Sequence, residues 1–177
     1  MKKIGTVYLD MDGVLADFFP ELVNFYKAKF PHIQHWKDIP SSEDTVRGLS
    51  GTDFFYRLPI FPTTKKLLKL VHEMTEGSWS ILSTPLRGDE RNSSYWKNRW
   101  LDKLLEDEEL QGVKPQTRIY SHHKFLYAKA HSLPNLLIDD RPQNVDDFIK
   151  SGGVGIRYQA NESKWSKLIT KLEKEIM

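Results

Sequence analysis

Two carboxylates, Asp10 and Asp12, follow directly on an apolar run that ends at Leu9, and Gly13 comes next. A buried carboxylate without a partner is unfavourable by several kcal/mol, or it is neutralised by a shift of its pKa. Two acids at the end of a buried strand therefore indicate a metal ion, a cationic partner or a catalytic role. In extended backbone, residues two apart point to the same side, so both carboxylates can face one ligand.

Polar side chains also follow two later apolar runs. Ser83 and Thr84 come at the end of WSIL, and Asp139 and Asp140 come directly after LLI. Ligands of open α/β sheets bind at the carboxyl ends of the strands, so these groups are expected to meet at one edge of a sheet. Hard cations such as Mg²⁺ take carboxylate, water and phosphate oxygens. The sequence therefore predicts a site for Mg²⁺ and a phosphate.

The elements that must position these groups alternate along the chain. Apolar runs of strand length occur at 4–9, 79–82, 118–120, 136–138 and 154–156. Between and after them, apolar residues at helical spacing predict helices, most clearly over 67–74, 96–105 and 165–176. Strands that alternate with helices favour an α/β fold with a largely parallel, Rossmann-like sheet and flanking helices.

One long interval breaks this alternation. Residues 16–76 contain no clear strand, and this segment is longer than a single crossover helix between two parallel strands requires. We interpret them as a small helical cap inserted after the first strand. The catalytic core domain would then comprise residues 1–15 and 77–177, and the cap would cover the site.

The composition is that of a globular protein with a balanced charge. Hydrophobic residues make up 39% of the chain, and 26 Lys and Arg face 24 Asp and Glu, which gives a net charge of +2. This balance does not by itself indicate a nucleic-acid or membrane partner. The absence of cysteine excludes disulfides and thiolate metal sites. No signal-peptide core or membrane span is visible, so we expect a cytoplasmic protein.

The motifs resemble those of a known family. DMDGV from Asp10, the pair Ser83-Thr84, Lys124 and the pair Asp139-Asp140 are similar to the four motifs of the haloacid dehalogenase superfamily of phosphohydrolases, in their order. LDMDGVLADF, DFFYRLPIFP, STP and LLIDDRP more narrowly resemble the 5′(3′)-deoxyribonucleotidases. The 3′-phosphatase domains of polynucleotide kinases are a more distant likeness. The resemblance implies a Mg²⁺-dependent phosphatase with the haloacid dehalogenase-type fold.

The resemblance also implies roles for the two acids of the first motif. Asp10 would attack phosphorus and form an aspartyl-phosphate, while Asp12 would protonate the leaving oxygen and then activate water. The metal site would comprise Asp10, the backbone carbonyl of Asp12, and Asp140 as a direct ligand, with Asp139 in support.

The phosphoryl oxygens would be held by the second and third motifs. By the resemblance, Ser83 or Thr84 and Lys124 would hold them, and Gly13 lets the chain turn sharply beside them. Lys129 is an alternative to Lys124, because it also lies a short distance before the fourth motif. We favour Lys124, which is expected just past a strand in the first turn of a helix.

Aromatic residues suggest the substrate. Phe18 matches the aromatic residue that lines the base pocket of the deoxyribonucleotidases, and Phe54 and Phe55 lie in the part of the cap that resembles theirs. Aromatic rings stack on bases, and Arg141 could reach the phosphate or the cap. Alternatively, Phe54 and Phe55 form the cap's own core.

These features predict hydrolysis of deoxyribonucleoside 5′- or 3′-monophosphates, with a small-molecule nucleotide as the partner. A phosphatase for polynucleotide 3′ ends would need an open, basic groove in place of a closed cap, so a polynucleotide is not expected. A nonhydrolytic nucleotide-binding protein of the same fold is the second alternative, although a binder has no need for both Asp10 and Asp12.

Overall fold

Five parallel strands form the central sheet of the computed structural model, which describes residues 3–40 and 47–177. In chain order the strands are β1 (Val7–Leu9), β2 (Trp79–Ser83), β3 (Arg118–Tyr120), β4 (Lys129–Ala130), β5 (Leu133–Pro134), β6 (Leu136–Asp139) and β7 (Val154–Arg157). The sheet order is β3-β2-β1-β6-β7, and β4 and β5 form a separate antiparallel pair. The predicted parallel α/β fold is confirmed.

Helices flank the sheet and build the insertion. The α-helices that are described in full are α1 (Phe18–Lys27), α2 (Thr64–Met74), α3 (Glu90–Leu105), α4 (Pro142–Lys150) and α5 (Trp165–Ile176). Short 3₁₀ helices cover Trp36–Asp38, Phe54–Arg57, Glu108–Leu110 and Lys124–Tyr127. Within the described parts of the chain, no helix is both long and apolar enough to cross a membrane.

The core lies between the sheet and its helices. Every residue of β1, β2 and β6 is buried, as expected for strands covered on both faces. On α2 the buried residues Leu67, Leu68 and Val71 recur at helical spacing, so one face of the helix packs inward.

The sheet order brings the polar strand ends together. Leu9 at the end of β1 is in register with Ile81 of β2 and with Ile138 of β6. The residues after β1 therefore lie between the ends of β2 and β6, as expected for a ligand site at the carboxyl edge of a parallel sheet.

The two ends of the insertion meet beside β1. Ala16 forms a bridge with Ile60, and the Asp17 N–H donates to the Pro59 carbonyl at 2.8 Å. Helix α2 follows this junction, and the hydroxyl of its first residue, Thr64, donates to the Leu15 carbonyl at 2.7 Å. From these contacts we propose that the cap ends near Ile60, short of the predicted limit at residue 76, and that α2 is the crossover helix between β1 and β2.

Candidate active site

Lys124 lies at the centre of a buried cluster of charges. Its Nζ donates to Asp10 Oδ1 at 2.7 Å and to Asp139 Oδ2 at 2.6 Å, and the residue is only 3% exposed. Burial lowers the pKa of the Lys124 ammonium, but the two carboxylates more than offset this and hold the pKa above its usual value. Lys124 is therefore a fixed positive charge between the acids of β1 and β6.

Lys124 reaches this position because the 3₁₀ helix Lys124–Tyr127 begins shortly after β3. The alternative lysine, Lys129, lies exposed in β4, and its side chain runs beside Gly152. The structure thus brings Lys124 to the acids and leaves Lys129 outside, while the role of Lys124 stays a prediction.

Asp139 is fully buried and surrounded by donors. Besides Lys124, its carboxylate accepts from the Arg141 N–H at 2.9 Å and from Asn144 Nδ2 at 3.0 Å. Burial and the neighbouring Asp10 raise the pKa of Asp139, whereas Lys124 opposes that shift. With its oxygens already bonded, Asp139 is suited to the supporting role that the resemblance implies.

Asp140 lines the pocket and, among the residues that the structure describes, has no such set of donors. Burial first, and then the charges of Asp10 and Asp139, raise its pKa to about 8. Gly13 packs directly against it, since a Cβ added to Gly13 would lie 2.5 Å from Asp140 Oδ2. The glycine also has a positive φ of 82°, which other residues rarely adopt.

The carboxylates form a donor set that suits a hard divalent cation. Asp10, Asp139 and Asp140 each offer an oxygen, and these oxygens lie within 4.8 Å of one another. An all-oxygen, acidic set of this kind is typical of Mg²⁺ sites, in which one or two carboxylates combine with waters and substrate phosphate. The raised pKa of Asp140 also indicates repulsion among the acids, which a cation would relieve. The carboxylate of Asp12 does not belong to this cluster, so only its backbone carbonyl remains as the predicted ligand.

The carboxylate of Asp12 pairs with a lysine that the sequence analysis did not identify. Lys97 Nζ donates to Asp12 Oδ2 at 2.7 Å, to Ser83 Oγ at 2.9 Å and to the Thr84 carbonyl at 2.8 Å. Burial raises the pKa of Asp12, while Lys97 opposes that shift. A charged residue on the apolar stripe of α3, three residues before Trp100 and four before Leu101, was the signal that could have revealed Lys97.

The two hydroxyl residues of the second motif occupy different places. Thr84 lines the pocket, whereas the fully buried Ser83 lies behind it with its hydroxyl bonded to Lys97. Of the two hydroxyl residues predicted to bind phosphate, Thr84 is therefore brought to the pocket and Ser83 is not, while their roles stay predictions. Ser83 is the last residue of β2, whose side chains are all buried.

A single pocket of about 810 Å³ opens over these acids, within the usual range for small-molecule sites. Its floor includes Asp10, Asp12 and Asp140, and its walls come largely from aromatic and aliphatic side chains of the insertion. Cationic side chains also line it: Lys37, Arg87 and Arg141, together with His122. The predicted residue Arg141 is thus at the pocket.

The predicted aromatic residues separate into pocket and core. Phe18 and Phe55 line the pocket and lie nearly parallel, with ring centroids 6.4 Å apart. Phe54 is buried away from it and packs edge-on against Phe18, Phe25 and Phe55. Phe54 thus lies in the cap's own core, the alternative that the sequence left open, and Phe55 lies at the pocket, while the substrate roles of both stay predictions.

The sequence and the structure were compared with those of known proteins. No family model matches the chain. The mitochondrial 5′(3′)-deoxyribonucleotidase of Mus musculus is 25% identical over 152 residues, which cover 77% of this chain and 64% of that protein, so the chain spans less than two thirds of its relative.

Solved structures match over nearly the whole chain. A haloacid dehalogenase family hydrolase from Deinococcus radiodurans, solved with bound phosphate and sodium, has a TM-score of 0.59 at 12% identity, and the match covers 96% of this chain and 88% of that one. A haloacid dehalogenase family enzyme from Bacteroides thetaiotaomicron has a TM-score of 0.56 at 16% identity and covers 95% and 99% of the two chains. The chain has the haloacid dehalogenase fold.

The order of the motifs in this haloacid dehalogenase fold agrees with the predicted resemblance. The first and fourth motifs follow the adjacent strands β1 and β6, and the second motif follows β2 on the other side of β1. The superfamily resemblance drawn from the sequence is thereby confirmed, whereas the roles of the individual residues stay predictions.

Proposed function

We propose that the protein is a Mg²⁺-dependent phosphomonoesterase that hydrolyses deoxyribonucleoside 5′- or 3′-monophosphates through an aspartyl-phosphate. One observation carries the proposal. Asp10, Asp139 and Asp140 converge around one point with Lys124 between two of them, at the floor of a pocket with aromatic walls.

Asp10 is the attacking group in this proposal. Its Oδ1 is held by Lys124, which fixes the side chain and leaves the other carboxylate oxygen for the phosphorus atom. Holding a nucleophile in the geometry of attack lowers the entropic part of the barrier. Lys124 also places a positive charge where negative charge accumulates on the phosphoryl oxygens.

Asp12 is the proton donor to the leaving oxygen. Burial raises the pKa of its carboxyl, which favours the protonated form that a general acid needs. The second half-reaction uses the same residue as a base, which takes a proton from the water that attacks the aspartyl-phosphate.

Asp10, the Asp12 carbonyl and Asp140 would hold Mg²⁺, which supplies charge stabilisation of the phosphoryl oxygens when it is bound. Thr84 at the pocket wall is placed to donate its hydroxyl to the same phosphate.

The pocket walls support a nucleotide as substrate. Phe18 and Phe55 present near-parallel rings in the insertion, and stacking on a base is worth about 1–3 kcal/mol. The mouse relative, named as a 5′(3′)-deoxyribonucleotidase, points to the same substrate class. The insertion encloses the acids on one side, which favours a small molecule over a polynucleotide end.

The proposal is tested by phosphate release from a substrate panel with Mg²⁺ or with EDTA. The panel contains deoxyribonucleoside and ribonucleoside monophosphates, sugar phosphates, p-nitrophenyl phosphate and a 3′-phosphorylated oligonucleotide. We expect Mg²⁺-dependent turnover, with deoxyribonucleoside monophosphates as the best substrates and none by Asp10→Asn. If the 3′-phosphorylated oligonucleotide were the best substrate, the function would be that of a phosphatase for polynucleotide ends and not that of a nucleotidase. Nucleotide binding without any turnover would indicate a nonhydrolytic binder.

A further inference from the structure

Lys97 is a buried charge that the chemistry described so far does not use. It lies on α3, is 1% exposed, and is separated from Asp12 by 85 residues of sequence. A lysine ammonium has three N–H donors, and here all three are engaged, by Asp12, Ser83 and the Thr84 carbonyl. Lys97 therefore has no donor left for a substrate phosphate and acts on the protein itself.

The two oxygens of Asp12 have different surroundings. Oδ2 accepts from Lys97 at 2.7 Å, whereas Oδ1 is buried and has no hydrogen-bond partner among the residues that the structure describes. Asp12 also lines the pocket. By holding Oδ2, Lys97 fixes the rotation of the carboxyl group, and the Asp12 side chain stays 25% exposed at the pocket.

The same ammonium contacts the cap. Lys97 Nζ lies 4.6 Å from the centroid of the Phe55 ring, within the distance of a cation–π contact. Lys97 thus joins three parts of the site: the loop after β1, the end of β2 and the wall of the pocket. This makes the orientation of Asp12 depend on both the core and the insertion.

We propose that Lys97 is a positioning residue that holds the Asp12 carboxyl group in the orientation in which it delivers its proton to the leaving oxygen of the substrate. This inference rests on the proposed phosphatase function and adds a residue to it. In the step concerned, an Asp10 oxygen forms a bond to phosphorus, the bond between phosphorus and the ester oxygen breaks, and that oxygen takes the proton from the Asp12 carboxyl group. The products are an aspartyl-phosphate and a neutral alcohol, and Asp12 is left as a carboxylate.

The dependence on the leaving group provides the test. An alkoxide, such as the sugar oxygen of a nucleotide, needs a proton in order to leave, whereas p-nitrophenolate is a stable anion that leaves without one. General acid catalysis contributes about 10²–10⁴-fold where it is needed. We therefore expect Lys97→Met to lower kcat/KM for a deoxyribonucleoside monophosphate at least about tenfold more than kcat/KM for p-nitrophenyl phosphate.

A matched variant separates positioning from general destabilisation. Leu101 lies one turn after Lys97 on the same buried face of α3 and is equally buried, but it has no polar group to offer Asp12. Leu101→Ala should lower the melting temperature and reduce both kcat/KM values by the same factor. Lys97→Gln keeps a hydrogen-bond donor without the charge, and it replaces Lys97→Met if that variant does not fold. Its additional loss of kcat/KM on the nucleotide, relative to p-nitrophenyl phosphate, should be smaller than that of Lys97→Met.

A double variant tests whether Lys97 acts through Asp12. In the Asp12→Asn background, Lys97→Met should cause no further selective loss on the nucleotide, because the group that it positions is already gone. Equal losses on the two substrates from Lys97→Met or Lys97→Gln, with an active wild type, would overturn the inference and leave the proposed function intact. A wild type that hydrolyses neither substrate would instead refute the proposed function.

Discussion

Gly13→Ala should weaken metal binding through a single added methyl group. The new Cβ would lie 2.5, 2.7 and 3.1 Å from Asp140 Oδ2, Cγ and Cβ, so the whole side chain of this acid would have to move. The positive φ of 82° adds a backbone cost of about 1–2 kcal/mol for a residue other than glycine. For a chain of this size, that cost corresponds to a loss of about 2–8 °C in melting temperature.

Gly112→Ala is the matched control. Gly112 has nearly the same φ, 83°, but a Cβ added there would meet nothing within 4 Å. Both variants should therefore lose comparable stability from the backbone, and any further loss in Gly13→Ala reports the displacement of Asp140.

Titration of Mg²⁺ by calorimetry, and Mg²⁺-dependent activity, measure that displacement. Disturbing the supports of a metal ligand commonly lowers metal affinity about 10–100-fold, and we expect a loss of this size for Gly13→Ala and no change for Gly112→Ala. If the two variants bound Mg²⁺ equally well, either Asp140 would not be a ligand or its place beside Gly13 would not matter, and the argument for this metal site would fail.

Four further predictions concern the attacking acid, the base pocket and the protonation of Asp140. Asp10→Asn should reduce phosphate release to the background rate while the circular dichroism spectrum is unchanged, because the attacking charge is lost but little volume; near-normal activity would exclude the covalent mechanism. Phe18→Ala should lower kcat/KM for nucleotides more than for p-nitrophenyl phosphate, which has no base to stack, and equal losses would argue against a base pocket at Phe18. Mg²⁺ affinity should weaken as the pH falls below about 8, the raised pKa of Asp140, since the metal must displace its proton. In EDTA, with no metal bound, the folded protein keeps the proton on Asp140 at a pH where the unfolded chain has lost it. The melting temperature should therefore rise as the pH is lowered from 8 to about 6. A melting temperature that did not change over this range would contradict the raised pKa of Asp140.

The sheet and the acids at its edge could be predicted from the sequence because both depend on local patterns. Runs of apolar residues mark β2 and β6, and the polar residues that follow them must lie at the strand ends. Helix α1 begins at Phe18, two residues before Pro20, because proline is accommodated in the first turn of a helix.

Features that depend on distant contacts could not be predicted. The pair between Lys97 and Asp12 joins α3 to the loop after β1, and no spacing in the sequence shows it. Phe54 and Phe55 are adjacent residues of the same type, so the sequence does not distinguish them. The local 3₁₀ turn decides that Phe55 reaches the pocket and Phe54 does not. The sequence likewise does not decide where the cap ends, because α2 has the same helical pattern whether it belongs to the insertion or to the core.

The junction at Ala16 and Ile60 has a consequence for how proteins with this fold can diversify. The chain leaves the core and returns to it at two residues that touch, so the length and sequence of the segment between them place little constraint on the sheet. Evolution or an engineer can therefore exchange that segment as a module, which alters the pocket walls while Asp10, Asp139 and Lys124 keep their positions.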